Sequence, residues 1–364
     1  MIPIPTGYLL VLGDARDRLT AKTAGGILQW RPEICIGQPR LDAETVDLGL
    51  PDMSPAQARA AGAGSLVIGI APVGGRIEPA WRAALIEALE AGLDLVSGLH
   101  MRLADDAQLV AAAEAAGRRL HDVRHSGGPY AVATGRKRSG KRVLTVGTDC
   151  AIGKKYTALA IHKAMVARGM DASFRATGQT GIIIAGGGVA IDTIVSDFAA
   201  GAAEALSPDN DQDHWDVIEG QGSLFHPAYA AVSLALLHGS QPDAIVLCHD
   251  PARTHIDGFP DFELPTLEAC IEANLAAARL TNKAVRAAGI ALDTSRLSAS
   301  DRGRIFDQIA TRTGLPVVDP IACSASTEFS RCVERAGTSA PRPKPGPRLT
   351  ALKLDPGFRR EARA

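Results

Sequence analysis

The chain has no long apolar run, and therefore no candidate membrane-spanning helix. The longest such stretch, residues 182–191, falls short of the roughly 20 residues a bilayer demands, and Gly186, Gly187 and Gly188 interrupt it. An excess of one charge sign is also missing. Lys and Arg number 39 against 40 Asp and Glu, a net charge of −1, so no global field draws the protein to nucleic acid or to a membrane surface. Cys35, Cys150, Cys248, Cys270, Cys323 and Cys332 form no C-x-x-C pair, and no secretory signal precedes them. The expectation is a set of reduced thiols in the cytoplasm.

What is present is a large globular chain. Its 364 residues are 46% apolar and 22% charged, which suits two α/β domains better than one. Residues 1–138 alternate short apolar runs at 8–12, 65–70 and 94–97 with helical spacing at 79–93 and 103–116. That pattern predicts a small Rossmann-like domain. The turn after its first strand, Gly13 to Arg18, lacks the further glycines of G-x-G-x-x-G, so no dinucleotide is assigned to it. Residues 125–141 read as the linker. Residues 139–338 form the second domain, and 339–364, rich in proline and basic residues, form an extension.

The second domain opens on Val143-Leu-Thr-Val, a β-branched strand running into Gly147-Thr148-Asp149-Cys150-Ala151-Ile152-Gly153-Lys154-Lys155-Tyr156-Thr157. Two glycines turn the backbone so that amide groups point inward, and a helix starting near Lys154 adds its positive end. This is an anion cradle of phosphate type. It departs from G-x-x-x-x-G-K-[ST] by one extra residue between the glycines and by Lys155 where a metal-binding hydroxyl should stand. An ammonium there repels Mg²⁺. Such a cradle suits a ligand whose phosphates are held but not cleaved, such as coenzyme A. No metal is expected.

Further strands predicted at 172–176, 216–218, 243–248, 289–292 and 315–318 alternate with helices at 154–168, 191–206, 227–237, 266–288 and 300–311. A parallel sheet follows, with its ligand crevice outside the carboxyl ends of the strands. The strand-end segments 147–157, 177–181, 219–223 and 249–255 should meet there. Glu219, followed by Gly-Gln-Gly-Ser223, offers either a metal-binding carboxylate or one that accepts an amine proton. His249, Arg253 and His255 crowd one loop, where Arg253 could pair with a carboxylate in bidentate fashion. Asp192 and Asp197 face either the crevice or solvent, and His226 either caps a helix or serves the site.

With these motifs assembled, the second domain distantly resembles dethiobiotin synthetase through its G-T-D-x-x-x-G-K loop and Glu219-Gly-Gln-Gly222. It more closely resembles the D-glutamate N-acetyltransferase family, formerly a domain of unknown function with an N-terminal Rossmann-like domain. The matching stretches are Gly147 to Lys154, Ala176-Thr-Gly-Gln-Thr-Gly-Ile182, Asp197 to Glu204, Glu219 to Ser223 and His238 to Ala244. The resemblance implies acetyl transfer from acetyl-CoA to the amino group of a D-amino acid, D-glutamate foremost, ahead of racemisation of the product. On it, residues 147–157 hold CoA, and Gln179, Thr180, Gln221, Ser223 and Arg253 anchor an acidic substrate. Glu219 or His249 is the base. Direct transfer is expected over a Cys150 acyl-enzyme, because nothing nearby in sequence gives that thiol a base. The competing readings are an ATP- and Mg²⁺-dependent ligase or kinase and a non-catalytic sensor. A homodimer is expected.

Overall fold

The computed structural model describes residues 4–17, 20–40, 42–70, 77–125, 128–322 and 334. The extension at 339–364, Cys323 and Cys332 lie outside them. In the first half the strands are β1 (Tyr8–Val11), β2 (Cys35–Gly37), β3 (Ser65–Ile68), β4 (Asp94–Ser97) and β5 (Leu120–Asp122), in the order β2-β1-β3-β4-β5. Every pair is parallel. The crossovers carry α1 (Lys22–Trp30), α2 (Pro55–Ala60), α3 (Pro79–Glu90) and α4 (Ala107–Ala116). β1, β3 and β4 are buried along their whole length, which is why their apolar residues stand side by side rather than alternating with polar ones.

The second half contains β6 (Lys141–Gly147), α5 (Lys154–Ala167), β7 (Ala172–Arg175), α6 (Gln179–Ala185), α7 (Ser196–Leu206), β8 (Trp215–Ile218), α8 (Ala230–Ser240) and β9 (Ala244–His249). After these come β10 (His255–Ile256), β11 (Phe259–Glu263), α9 (Leu267–Arg279), β12 (Arg286–Leu292), α10 (Ala299–Thr313) and β13 (Val317–Val318). Six strands make a parallel sheet, β13-β12-β9-β6-β8-β7, while β10 and β11 form a separate antiparallel pair. The fold is a P-loop-type parallel sheet domain preceded by a Rossmann-like one. The chain leaves β6 toward β7 on one side and later returns to β9 on the other, so the winding reverses beside β6. That reversal opens a crevice directly over the loop that follows β6.

Several elements differ from expectation. The helix foreseen at 266–288 ends at Arg279, where the Asn282 amide donates to Pro242 O at 2.8 Å and Arg286 already pairs with β9. Residues 191–193 are an isolated 3₁₀ turn before α7. The helix foreseen from 227 starts at Ala230, and the segment 177–181 contains the start of α6 rather than a loop alone.

The two halves share buried surface. Ile182, Ile183 and Ile184 of α6 belong to the same apolar cluster as Leu9, Ile27 and Leu66. Arg31 donates to Ile184 O at 2.9 Å, and the Tyr8 hydroxyl to Ile183 O at 3.3 Å. The carbonyl end of α6 is thereby satisfied by the other domain.

Candidate functional site

The loop after β6 is built from unusual backbone. Ala151 and Gly153 take φ of 50° and 94°, left-handed conformations that turn successive amides to one side. Gly147 is closely packed: a Cβ there would lie 2.7 Å from Ile152 Cδ1 and 3.2 Å from Asp149 O. Lys154 is buried and folds back, its ammonium donating to Asp149 O at 2.7 Å. Burial holds its pKa below the usual lysine value. Lys155 turns the other way, with Nζ 4.5 Å from the centre of the Tyr156 ring. Burial lowers its pKa too, and Glu219 opposes that shift.

A cleft of ≈ 540 Å³ opens over this loop. It gathers Cys150, Ala151, Ile152, Gly153, Lys154, Lys155 and Tyr156 with Gln179, Thr180, Glu219 and Gln221. Three of the four strand-end segments therefore meet as expected. A smaller cleft of ≈ 270 Å³ shares Ile152, Gly153 and Tyr156 with the first, then runs past Thr157 over the ends of β12 and β13. The loop thus stands at the junction of two clefts.

Glu219 is the buried acid of the larger cleft. At the end of β8, its Oε2 accepts the amides of Thr177 at 2.9 Å and Gly178 at 3.1 Å. Thr177 in turn donates its hydroxyl to Glu219 O at 2.6 Å and accepts from the Gln221 amide at 3.2 Å. Burial raises the Glu219 pKa, against the opposing pull of those amides and of Lys155 and Lys154. A carboxylate in such surroundings binds a proton more readily than one in water.

The remaining expected residues sit elsewhere. His249 does not line the cleft; its Nδ1 is 3.0 Å from the Thr148 hydroxyl, and burial pulls its pKa down to about 4. Arg253 donates to Asp149 Oδ2 at 2.6 Å and to Cys150 O at 3.0 Å, bracing the loop from outside. Ser223 is fully buried, and its hydroxyl accepts the Phe225 amide at 3.3 Å. His226 precedes α8 by several residues and accepts the Ala228 amide through Nδ1 at 3.1 Å. It also brings an imidazole near Cys150, which the sequence spacing did not suggest.

Asp149, Cys150 and His226 present ligand atoms within 4.8 Å of one another. The Asp149 oxygens are already taken by the amides of Cys150 at 2.6 Å and Asp257 at 2.9 Å and by Arg253. The arrangement reads as a braced turn whose acceptors are satisfied internally.

Lys22, Thr23 and Arg124 of the first domain also line the larger cleft, and sequence reasoning missed all three. Asp192, left open above, lines it as well and forms an ion pair with Arg124. Arg124 further donates to Gly98 O at 3.1 Å and accepts the Thr193 hydroxyl at 2.8 Å on its own carbonyl, tying the domains together at the cleft mouth. Asp197 is exposed.

The model of a domain of unknown function, DUF1611, described as a P-loop domain, matches residues 131–327, and its Rossmann-like N-terminal companion matches 40–126. A protein of Tritonibacter scottomollicae named D-glutamate N-acetyltransferase is 52% identical over 87% of this chain and 95% of its own length. One of the same name from a Pseudoalteromonas species is 48% identical over 86% of this chain and 95% of its own. The chain belongs to the D-glutamate N-acetyltransferase family. A crystal structure of a DUF1611 family protein from Anabaena variabilis superposes with a TM-score of 0.79 at 34% identity, covering 90% of this chain and 99% of that one. The family's two-domain architecture is thus the setting in which the loop, Glu219 and the first-domain residues face one cleft. Among the described residues no helix is long and apolar enough to cross a membrane.

Proposed function

We propose that the protein transfers an acetyl group from acetyl-CoA to the amino group of D-glutamate. The observation carrying this reading is the pairing, across one cleft, of a phosphate-type loop that bears Lys155 in place of a metal-binding hydroxyl with the buried carboxylate of Glu219. The names of the two relatives support N-acetyl transfer to D-glutamate. Residues 147–157 hold the CoA diphosphate through backbone amides, the α5 N-terminus and Lys154. The two clefts meeting at the loop accommodate a two-substrate enzyme, with the thioester arm reaching the larger one.

Glu219 accepts a proton from the substrate ammonium and passes it to water. The freed amine attacks the thioester carbonyl, and the C–N bond forms as the carbonyl oxygen takes negative charge. Collapse of that intermediate breaks the C–S bond; the second proton leaves nitrogen and ends on the CoA thiolate. His249, neutral and outside the cleft, is not the base in this scheme. Gln179, Thr180 and Gln221 line the acceptor side, while Arg253 and Ser223 position the loops.

The test is free thiol release from acetyl-CoA and D-glutamate, with EDTA present and ATP absent, against an L-glutamate control. Release that depends on the D-isomer is expected. No release with either isomer, together with chelator-sensitive ADP formation from ATP, would replace this reading with the ligase one.

A further inference from the structure

The larger cleft carries more positive charge than its own residues balance. Lys22, Arg124, Lys154 and Lys155 line it against only Asp192 and Glu219. Arg124 is paired with Asp192, and Lys154 donates into the loop. Lys22 and Lys155 are different: among the described residues neither has an ion-pair or hydrogen-bond partner, although Lys155 feels the Glu219 charge.

These two lysines come from different domains. Lys22 opens α1 and is exposed to the cleft; Lys155 stands in the first turn of α5. Gly26 lets α1 come close: a Cβ there would lie 3.1 Å from the Tyr156 hydroxyl and 3.5 Å from Lys155 Nζ. The positive charge of Lys22 adds to burial in disfavouring the ammonium of Lys155. Two cations that share one cleft with no ion-pair or hydrogen-bond partner repel one another, and an anion entering between them relieves that cost. The inside of the phosphate loop is already served by Lys154, whereas Lys155 leans over Tyr156 toward α1. The anion is therefore a second one, separate from the CoA diphosphate and on the Glu219 side of the cleft.

We propose that Lys22 and Lys155 together form a carboxylate-binding site that receives the side-chain carboxylate of the acceptor amino acid, so that the first domain sets the preference for an acidic substrate. The assignment rests on the reading of this cleft as the acceptor side of an acetyl transfer. An amino acid whose ammonium meets Glu219 presents its far carboxylate to the two lysines only if it is a diacid. Uncharged analogues leave both ammonium groups unpaired and gain less.

Two measurements test the site, one of which is independent of turnover. In thiol-release kinetics, Lys22→Gln is expected to raise KM for D-glutamate roughly tenfold to a hundredfold with a smaller effect on kcat, the range for losing one charge-assisted bond. Its preference for D-glutamate over D-glutamine should fall by a similar factor, and Lys22→Arg should restore most of it. In thermal unfolding, glutarate, a dicarboxylate without an amino group, should raise the Tm of the unaltered protein more than that of Lys22→Gln. An unchanged glutamate-to-glutamine preference, or equal protection of both proteins by glutarate, overturns the proposal. If glutarate protects only the unaltered protein but no amino acid releases thiol, the anion site stands and the transfer reading falls.

Discussion

At the scale of single residues, two candidate bases are separated by their surroundings. Glu219 faces the cleft and burial raises its pKa; His249 lies behind the loop and burial lowers its pKa to about 4. Both are strand-end residues, which is why the sequence could not rank them. In the proposed scheme proton removal requires ionised Glu219, so kcat/KM should fall as pH drops through a value above that of an ordinary glutamate. Glu219→Gln should lower kcat by roughly 10²- to 10⁴-fold, the usual worth of a general base, and abolish that acidic limb. A limb that survives in Glu219→Gln would assign it to another group. His249 has a different signature. Its folded pKa is depressed below the unfolded value, so it leaves stability intact above about pH 6.5, and stability is lost as pH falls toward about 4. Denaturant titrations at several pH values should show His249→Gln to be less acid-sensitive over that window. Gly181 ties the residue scale to the carboxylate, because a Cβ there would overlap Glu219 Oε2. Gly181→Ala should push that oxygen off the Thr177 and Gly178 amides and lower kcat, with little change in the KM for acetyl-CoA.

At the scale of elements, the sequence disclosed whatever was apolar and regular. β3, β4, β6 and β9 are almost wholly buried, so each carries adjacent Val, Leu or Ile residues rather than a polar–apolar alternation, although β4 and β6 also bury polar residues. α1 was missed because Gly25 and Gly26 break its helical propensity, and Gly26 is there to admit Tyr156 and Lys155. Missing α1 meant missing Lys22 and Thr23, the first domain's helical share of the cleft. α6 was hidden in the same way, its start falling inside the glycine-bounded segment Thr177 to Gly181. The reverse error occurred after Arg279, where an alanine-rich stretch kept helical spacing although its residues enter β12. Close helix packing yields a prediction at this scale. A Cβ on Gly239 would overlap Ala200 O and lie 2.8 Å from the Ala203 side chain, so α7 and α8 meet only because that position is bare. Gly239→Ala should cost about 1–3 kcal/mol, as overpacking does. The measurement is a lower urea midpoint at unchanged m-value. An unshifted midpoint would mean that the helices slide apart without loss.

At the scale of the whole molecule, the question is whether the two sheets behave as one body. Their pattern as separate α/β units was legible, but their union was not, because Ile182, Ile183 and Ile184 read only as the start of an apolar run too short to cross a membrane. In the folded chain those three residues complete the first domain's core. Arg31 and Tyr8 satisfy carbonyls at the end of α6, and Trp30 stacks on Tyr156 at a centroid distance of 6.2 Å. Separating the domains would expose that apolar surface and break those hydrogen bonds together, so unfolding should be a single cooperative event rather than two. Trp81 and Trp215, both nearly fully buried and placed in different sheets' domains, provide local reporters. With Trp30 replaced by Phe, and either Trp81 or Trp215 also replaced by Phe, each single-tryptophan protein can be unfolded in urea and followed by fluorescence alongside far-ultraviolet circular dichroism. Coincident midpoints from both reporters are the expected result. Resolved midpoints would show that α6 can leave the first domain at little cost. The coupling has a functional corollary, since a ligand that binds only the joined domains stabilises both. Acetyl-CoA at about 100 times its Kd should shift the two reporters by the same amount, equivalent to about 2.7 kcal/mol. A shift confined to Trp215 would mean that the first domain covers the site without sharing its energetics.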